Sequence, residues 1–327
     1  MDEEHEDLDS PIPRPPDSFV PLLESNDPLT QRLLEKAKRA AASDATILLT
    51  GESGTGKDVL AHQIHRWSPR AECPFVTVNC TGLSEHLLES ELFGHTRGAF
   101  DGAIKDQPGG VEAAHGGSIL LDEISDLSVP LQTKLLHFIK EQRFERMGSE
   151  TTITVDARII AASSHDLVSE VAARRFREDL YYRLSVITLR VPALRERQGD
   201  ILPLATRMLA GATIRNHRRG LRLSPEASSA LLRYRWTGNL RELRNVIERA
   251  VVLCPGDVVT PEYLPDVVCN DRSQLRSTTA VPSPSLDNIE REHIIRVMAE
   301  SPTLESAARR LGINVATLWR RRRRYRL

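Results

Sequence analysis

A parallel α/β sheet followed by helical modules is the fold class that three observations predict. First, Gly51-Glu52-Ser53-Gly54-Thr55-Gly56-Lys57-Asp58 lies between the apolar run Thr46-Ile47-Leu48-Leu49 and the helix-like stretch from Val59 to His65. Second, Gly117-Ser118-Ile119-Leu120-Leu121-Asp122-Glu123-Ile124 is a buried-strand pattern that ends in two carboxylates. Third, two short helical patterns separated by Gly312 close the chain, the second carrying Arg320 to Arg324.

Strand, glycine-rich loop and helix, in that order, form what a phosphate cradle requires. The glycines let consecutive backbone N–H groups turn toward a polyphosphate, and the helix N-terminus adds partial positive charge. Lys57 then reaches the outer phosphates as a mobile point charge. An empty glycine-rich turn is the bland alternative, which the full G-x-x-x-x-G-K spacing disfavours. Asp58 departs from the generic pattern, since Ser or Thr usually stands there to hold Mg²⁺. The acidic strand supplies the missing ligand. Ligands in open α/β sheets sit at the carboxyl ends of strands, so Asp122 and Glu123 are expected to face the phosphates. Asp122 suits hydrated Mg²⁺, and Glu123 suits positioning and polarising the attacking water. Alone, the Asp-Glu pair reads as a solvated strand end; together with the loop it predicts hydrolysis of a nucleoside triphosphate.

The chain has 327 residues, enough for two or three domains. Its formal net charge is −1, yet the first nine residues hold six acids while arginines crowd the other end. That asymmetry predicts a nucleic-acid partner for the basic part. Cys73, Cys80, Cys254 and Cys269 show no metal-type spacing. Without a signal-peptide pattern or a membrane-length apolar run, a cytoplasmic protein with reduced thiols and no membrane partner is expected.

Residues 1–24 read as an acidic, Pro-rich disordered arm. An α/β body follows over 25–191, with strand candidates Phe75 to Asn79, Ile119 to Leu121, Arg158 to Ala162 and Val186 to Val191. Residues 192–265 change to helices, one starting at Ser224-Pro225 with serine as N-cap and proline in the first turn. Residues 266–285 read as a polar linker. In the last module, 286–327, the stretch Thr303 to Leu311 is a helix, Gly312 breaks it, and Asn314 opens a second helix. This is a helix-turn-helix pattern. From Leu286 onward ten Arg stand against five Asp plus Glu. Asn314, Thr317, Arg320, Arg321, Arg322 and Arg324 are the candidate DNA contacts, through phosphates and guanine edges. The bland alternative is an arginine-rich helix end that complements the helix dipole.

Taken together, these residues resemble the bacterial enhancer-binding proteins, the AAA+ activators of sigma-54 RNA polymerase, from about Leu23 to the C-terminus. Glu91-Leu92-Phe93-Gly94-His95 and Arg97-Gly98-Ala99-Phe100 match that family closely. So do the segments from Phe176 to Leu184 and from Gly238 to Leu243. The resemblance implies an AAA+ P-loop ATPase with a parallel sheet, a small α-helical lid and a Fis-type helix-turn-helix domain. It implies that Arg177 and Arg183 reach the γ-phosphate in a neighbouring subunit. By the same match Arg241 contacts nucleotide in its own subunit, and Asn79 holds the catalytic glutamate in a nucleotide-sensing switch. Each has a bland competitor: surface ion pairs for the arginines, a capped strand end for Asn79. The implied partners are upstream DNA, sigma-54 RNA polymerase holoenzyme and other copies of the chain in a ring. With the receiver domain absent, either a regulatory protein acts in its place, or the chain is a fragment or degenerate copy.

Three features depart from the family. The loop that contacts sigma-54, Gly98-Ala99-Phe100-Asp101-Gly102-Ala103, carries Asp101 where threonine is usual. Ser163-Ser164 precede His165 where Thr-Asn or Thr-His is usual. No receiver domain precedes the ATPase. Two readings therefore stand: an ATP-driven activator of sigma-54 polymerase, or an ATP-binding, DNA-binding regulator that no longer remodels it because of Asp101.

Overall fold

The computed structural model describes Ser25 and residues 27–218, 220–269, 294, 297, 298, 301 and 303–325, with the side chains of 324 and 325 outside that set. The expected arm, 1–24, and most of the expected linker lie outside the described residues. The chain falls into two compact units, Met1–Asn270 and Asp271–Leu327.

The first unit is built on five strands: β1 (Ile47–Thr50), β2 (Phe75–Asn79), β3 (Ser118–Asp122), β6 (Arg158–Ser163) and β7 (Ile187–Arg190). They run in the order β2-β3-β6-β1-β7, each pair parallel. Strand neighbours that are distant in sequence require helical crossovers, so both faces become covered. The apolar runs divide accordingly. Ile47, Leu49, Leu120, Ile160 and Ala162 join one core cluster. Leu48, Ile119, Leu121, Ile159 and Ala161 join the other, across the sheet. A short antiparallel pair, β4 (Arg143–Glu145) and β5 (Thr152–Thr154), stands apart from this sheet.

Helix α1 (Pro28–Ala41) starts at Asp27, whose carboxylate accepts from the N–H of Leu29, with Pro28 in the first turn. Its buried face holds Leu33, Ala37, Ala40 and Ala41. At its far end the buried Arg158 donates to the carbonyls of Ala40 and Ala41, at 2.8 and 2.9 Å, where the helix leaves carbonyls unmatched. Helix α2 (Lys57–Arg66) follows the glycine loop directly. On the opposite face α3 (Glu85–Phe93) and α5 (Val129–Glu141) bury Leu88, Leu92, Leu131, Leu135 and Phe138. Between β6 and β7 lie α6 (Leu167–Ala172) and α7 (Glu178–Leu184).

Three helices, α8 (Ile201–Arg215), α9 (Pro225–Arg233) and α10 (Asn239–Leu253), form the lid. Ser224 caps α9 by accepting from the N–H of Ala227. Fully buried Trp236 donates to the carbonyl of Leu231 and anchors the turn into α10. The lid shares one apolar cluster with α1, α2 and the sheet, through Leu240, Leu243 and Ile247. Packing of this kind stabilises by roughly 1.5–3 kcal/mol per buried large side chain. A further helix, α11 (Asp266–Cys269), buries Val268 in the same cluster. The helical region thus reaches Cys269, four residues into the expected linker.

In the second unit Thr303 caps the helix Leu304–Arg310, its hydroxyl accepting from the N–H of Ser306. Gly312 turns the chain at φ 65°, a conformation glycine adopts without strain. Asn314 then accepts from the N–H of Thr317 at 2.7 Å, opening the helix Val315–Tyr325. Ile294, Val297, Ala307, Ala308 and Leu318 make the core. The small side chains of Ala307 and Ala308 permit the close approach that a helix-turn-helix needs. No described helix is long and apolar enough to cross a membrane.

Candidate functional site

The parallel register aligns strand ends. Thr50 pairs with Ser163, and Asn79 with Asp122, at the carboxyl edge of the sheet. The glycine loop springs from the same edge. Gly56 precedes α2 at φ 97° and no side chain caps the helix start, so the first turn keeps an uncapped, positively polarised end. Lys57 is nearly buried and donates to the carbonyls of Gly51, at 2.9 Å, and Glu52, at 3.3 Å. Its Nζ stands 3.6 Å from Glu123 Oε1. Loop, cation and acidic strand therefore meet at one point. Asp58 is exposed on the first turn of α2.

Glu123 adopts φ 53° although it is not glycine, a strained conformation that costs about 1–3 kcal/mol. Its Oε2 accepts from Ser164 twice, from the N–H at 2.8 Å and from Oγ at 2.7 Å. Burial raises the Glu123 pKa, but the Ser164 donors and Lys57 outweigh it and hold the carboxyl below its ordinary value. Asp122 moves the other way, raised by burial and by the adjacent Glu123. Asn79, the last residue of β2, lies beside Asp122 in the sheet register. Its Oδ1 accepts from Thr81 N and Oγ1, at 3.0 and 2.8 Å. The side chain that holds Glu123 is Ser164, while Asn79 braces the chain leaving β2.

The lid closes over the loop. Arg241 donates to Ser53 Oγ at 2.9 Å. Arg195 forms an ion pair with Glu52, which Asn239 also bonds at 3.2 Å. The Arg195 hydrogen bond is the main cause that lowers the Glu52 pKa to about 2, with Asn239 and the nearby positive charges assisting. Beside these contacts opens a cavity of about 460 Å³, lined by Ser53, Gly238, Arg241, Asn245 and Arg249 among others. A second, of about 390 Å³, is lined by Gly51, Glu52, Ser164, Tyr181 and Val191 among others.

The remaining predicted residues lie elsewhere. The segment Gly98–Ala103 is a closed turn, with Gly98 N–H donating to the Ala103 carbonyl and Ala103 N–H to that of Phe100. Half-buried Phe100 packs on His95, ring centroids 4.9 Å apart, whereas Asp101 is exposed. Arg177 precedes α7 and pairs with Asp179 through Nε and Nη2, at 3.0 and 2.8 Å. Arg183 is exposed in the last turn of α7. In the second unit Asn314 and Arg320 are exposed, while Thr317, Arg321 and Arg322 are half-buried. The side chain of Arg324 lies outside the described residues. Arg323 covers the ring of Trp319 at 5.7 Å.

Comparison with known proteins assigns this arrangement. Residues 23–190 match the Sigma-54 interaction domain, 195–280 the AAA+ ATPase lid domain and 285–325 the Fis family of bacterial regulatory proteins. The chain belongs to the sigma-54 activator family. It is 48% identical over 322 residues to the alginate biosynthesis transcriptional regulatory protein AlgB of Pseudomonas syringae pv. tomato, covering 98% of this chain and 70% of AlgB. The crystal structure of NtrX from Brucella abortus in complex with ADP superposes with a TM-score of 0.71 at 30% identity, over 94% of this chain and 70% of that one. Its ATP complex gives 0.70 at 32% identity, over 93% and 69%. This sigma-54 activator is therefore an AAA+ ATPase-fold regulator with a DNA-binding helix-turn-helix unit.

Sequence reasoning missed Arg195, Arg197 and Asn239 as parts of this activator's loop environment, and it read Ser164 only as a departure. None of them carries a local signal, because their partners lie 41 to 187 residues away. The residues also fit a divalent cation. Asp122 feels the negative charge of Glu123 and Asp58 and the offsetting charge of Lys57. Among the described residues no cluster of three or more ligating side chains exists. That pairing suits Mg²⁺, which takes one or two carboxylates plus phosphate and water rather than an all-protein cage.

Proposed function

We propose that residues 51–58, Asp122 and Glu123 bind and hydrolyse ATP, and that the turnover drives remodelling of sigma-54 RNA polymerase at promoters reached through the helix-turn-helix unit. The observation that carries this reading is the meeting of Lys57 Nζ with Glu123 Oε1 at 3.6 Å, beneath an uncapped helix start. Lys57 leaves its loop carbonyls to neutralise the β- and γ-phosphates. Asp122 would hold Mg²⁺, which supplies charge neutralisation on the phosphates. Glu123, oriented by Ser164, polarises the attacking water. Arg241, already on Ser53, contacts the phosphates from the lid. Arg183 and Arg177 complete the site of a neighbouring copy, with Arg177 exchanging Asp179 for phosphate. The turn Gly98–Ala103 is the surface offered to sigma-54. Asn314, Thr317, Arg320, Arg321, Arg322 and Arg324 contact DNA.

The test separates binding from chemistry. Lys57→Ala is expected to abolish ATP binding in an equilibrium titration, because the phosphate charge loses its counter-ion. Glu123→Gln is expected to keep affinity within about threefold while turnover falls a hundredfold or more, several kcal/mol of barrier. Native affinity in Lys57→Ala would refute the cradle assignment.

A further inference from the structure

The lid touches four consecutive residues of the glycine loop, one after another. Arg195 pairs with the Glu52 carboxylate. Asn239 Nδ2 donates to the Ser53 carbonyl at 3.0 Å, Leu240 N–H to the Gly54 carbonyl at 2.8 Å, and Arg197 Nη2 to the Thr55 carbonyl at 2.9 Å. Approach is so close that a Cβ on Gly54 would stand 2.6 Å from the Gly238 carbonyl. In a planar trans peptide the carbonyl and the next N–H point to opposite sides. Three consecutive carbonyls drawn toward the lid therefore turn the N–H groups of Gly54, Thr55 and Gly56 the other way. The Thr55 N–H is turned back to the Glu52 carbonyl at 3.4 Å, which leaves those of Gly54 and Gly56 as the donors aimed from the loop. Successive N–H groups so presented form an anion nest.

Two side chains bear the cost of this arrangement. Arg197 is 0% exposed, yet its Nε and Nη1 find no partner among the described residues. Asn239 is 0% exposed and sits at φ 51°, where its Oδ1 also accepts from the N–H of Leu194 at 2.8 Å. A buried guanidinium spending a single donor on one loop carbonyl is poor design for stability alone.

We infer that Arg197 and Asn239 are positioning residues for nucleotide binding, which pre-organise the phosphate cradle from the lid by holding the carbonyls of Ser53 and Thr55 outward. The inference rests on reading residues 51–58 as the nucleotide site. It makes lid position and phosphate affinity one property: a lid displaced from the loop releases the nest, and a phosphate seated in the nest fixes the lid.

The test uses the full chain. Arg197→Met removes the donor but keeps an apolar stem of similar length, and Asn239→Gly keeps the left-handed backbone. Both are expected to raise the Kd for ATP and for ADP about tenfold, the worth of one hydrogen bond in the cradle. At saturating ATP, kcat stays within about threefold, and Arg197→Lys, which retains a donor, recovers part of the loss. The thermal midpoint of Arg197→Met is expected not to fall, since an incompletely paired buried charge has been removed. Native Kd values in both variants would overturn the inference. Should Arg197→Met fail to fold, Asn239→Gly decides alone. Native ATP affinity in Lys57→Ala would instead show that the nucleotide-site reading itself has failed.

Discussion

At the residue scale, Glu123 is the most informative position. Its backbone is left-handed, and its carboxylate is held by bonds that engage one oxygen and leave Oε1 toward Lys57. Ser164 supplies both bonds, so the hydroxyl at this position orients the carboxylate, and Asn79 is committed to Thr81. Ser164→Ala is expected to lower kcat about tenfold with little change in KM, the effect of one hydrogen bond to a charged group. Ser164→Thr restores it, and Asn79→Ala leaves kcat near native. Steady-state ATPase measurements on the three variants check this. Equal losses in Ser164→Ala and Asn79→Ala would return the switch to Asn79. The motif residues were legible because their chemistry is local: the glycines, Lys57 and the Asp122-Glu123 pair occupy short contiguous stretches. Ser164 was visible as unusual, but its partner 41 residues away was not.

At the scale of elements, the central strands β1, β3 and β6 were legible because they are buried on both faces and read as apolar runs. The half-exposed edge strands β2 and β7 showed instead through β-branched and aromatic residues in alternation. Ser224-Pro225 announced α9 through its cap. The β4–β5 pair and the short α4 (Gly110–Ala113) carried no comparable pattern, being three or four residues long. The lid's grip on the loop was invisible because it uses buried backbone carbonyls, which leave no trace in residue type. The turn Gly98–Ala103 holds the element-scale prediction. Its exposed Asp101 must shed water from a carboxylate when the turn meets a partner surface, which is costly without a cation opposite. Threonine offers a hydroxyl that donates and accepts, plus a methyl group. Asp101→Thr is therefore expected to increase promoter opening per ATP hydrolysed, with ATPase activity unchanged. A lower yield would show that the acid meets a basic partner group.

At the scale of the whole molecule, Arg177 stands at the N-cap of α7 and Arg183 in its last turn, beside exposed Tyr182. If they complete a neighbour's site, a dilute single chain lacks part of its catalytic machinery. Specific ATPase activity is then expected to fall on dilution through the range where the copies separate, and Arg183→Ala subunits mixed with Lys57→Ala subunits recover some activity. Constant specific activity across that range would exclude a site shared between copies. The central claim joins the two units: ATP turnover in the first serves promoters bound by the second. Its most direct test is promoter opening at a sigma-54 promoter, with purified holoenzyme, upstream DNA and this protein. Opening is expected with ATP and native protein, and absent with Glu123→Gln at the same bound nucleotide. No opening by the native protein at full ATPase activity, or equal opening by Glu123→Gln, would contradict it.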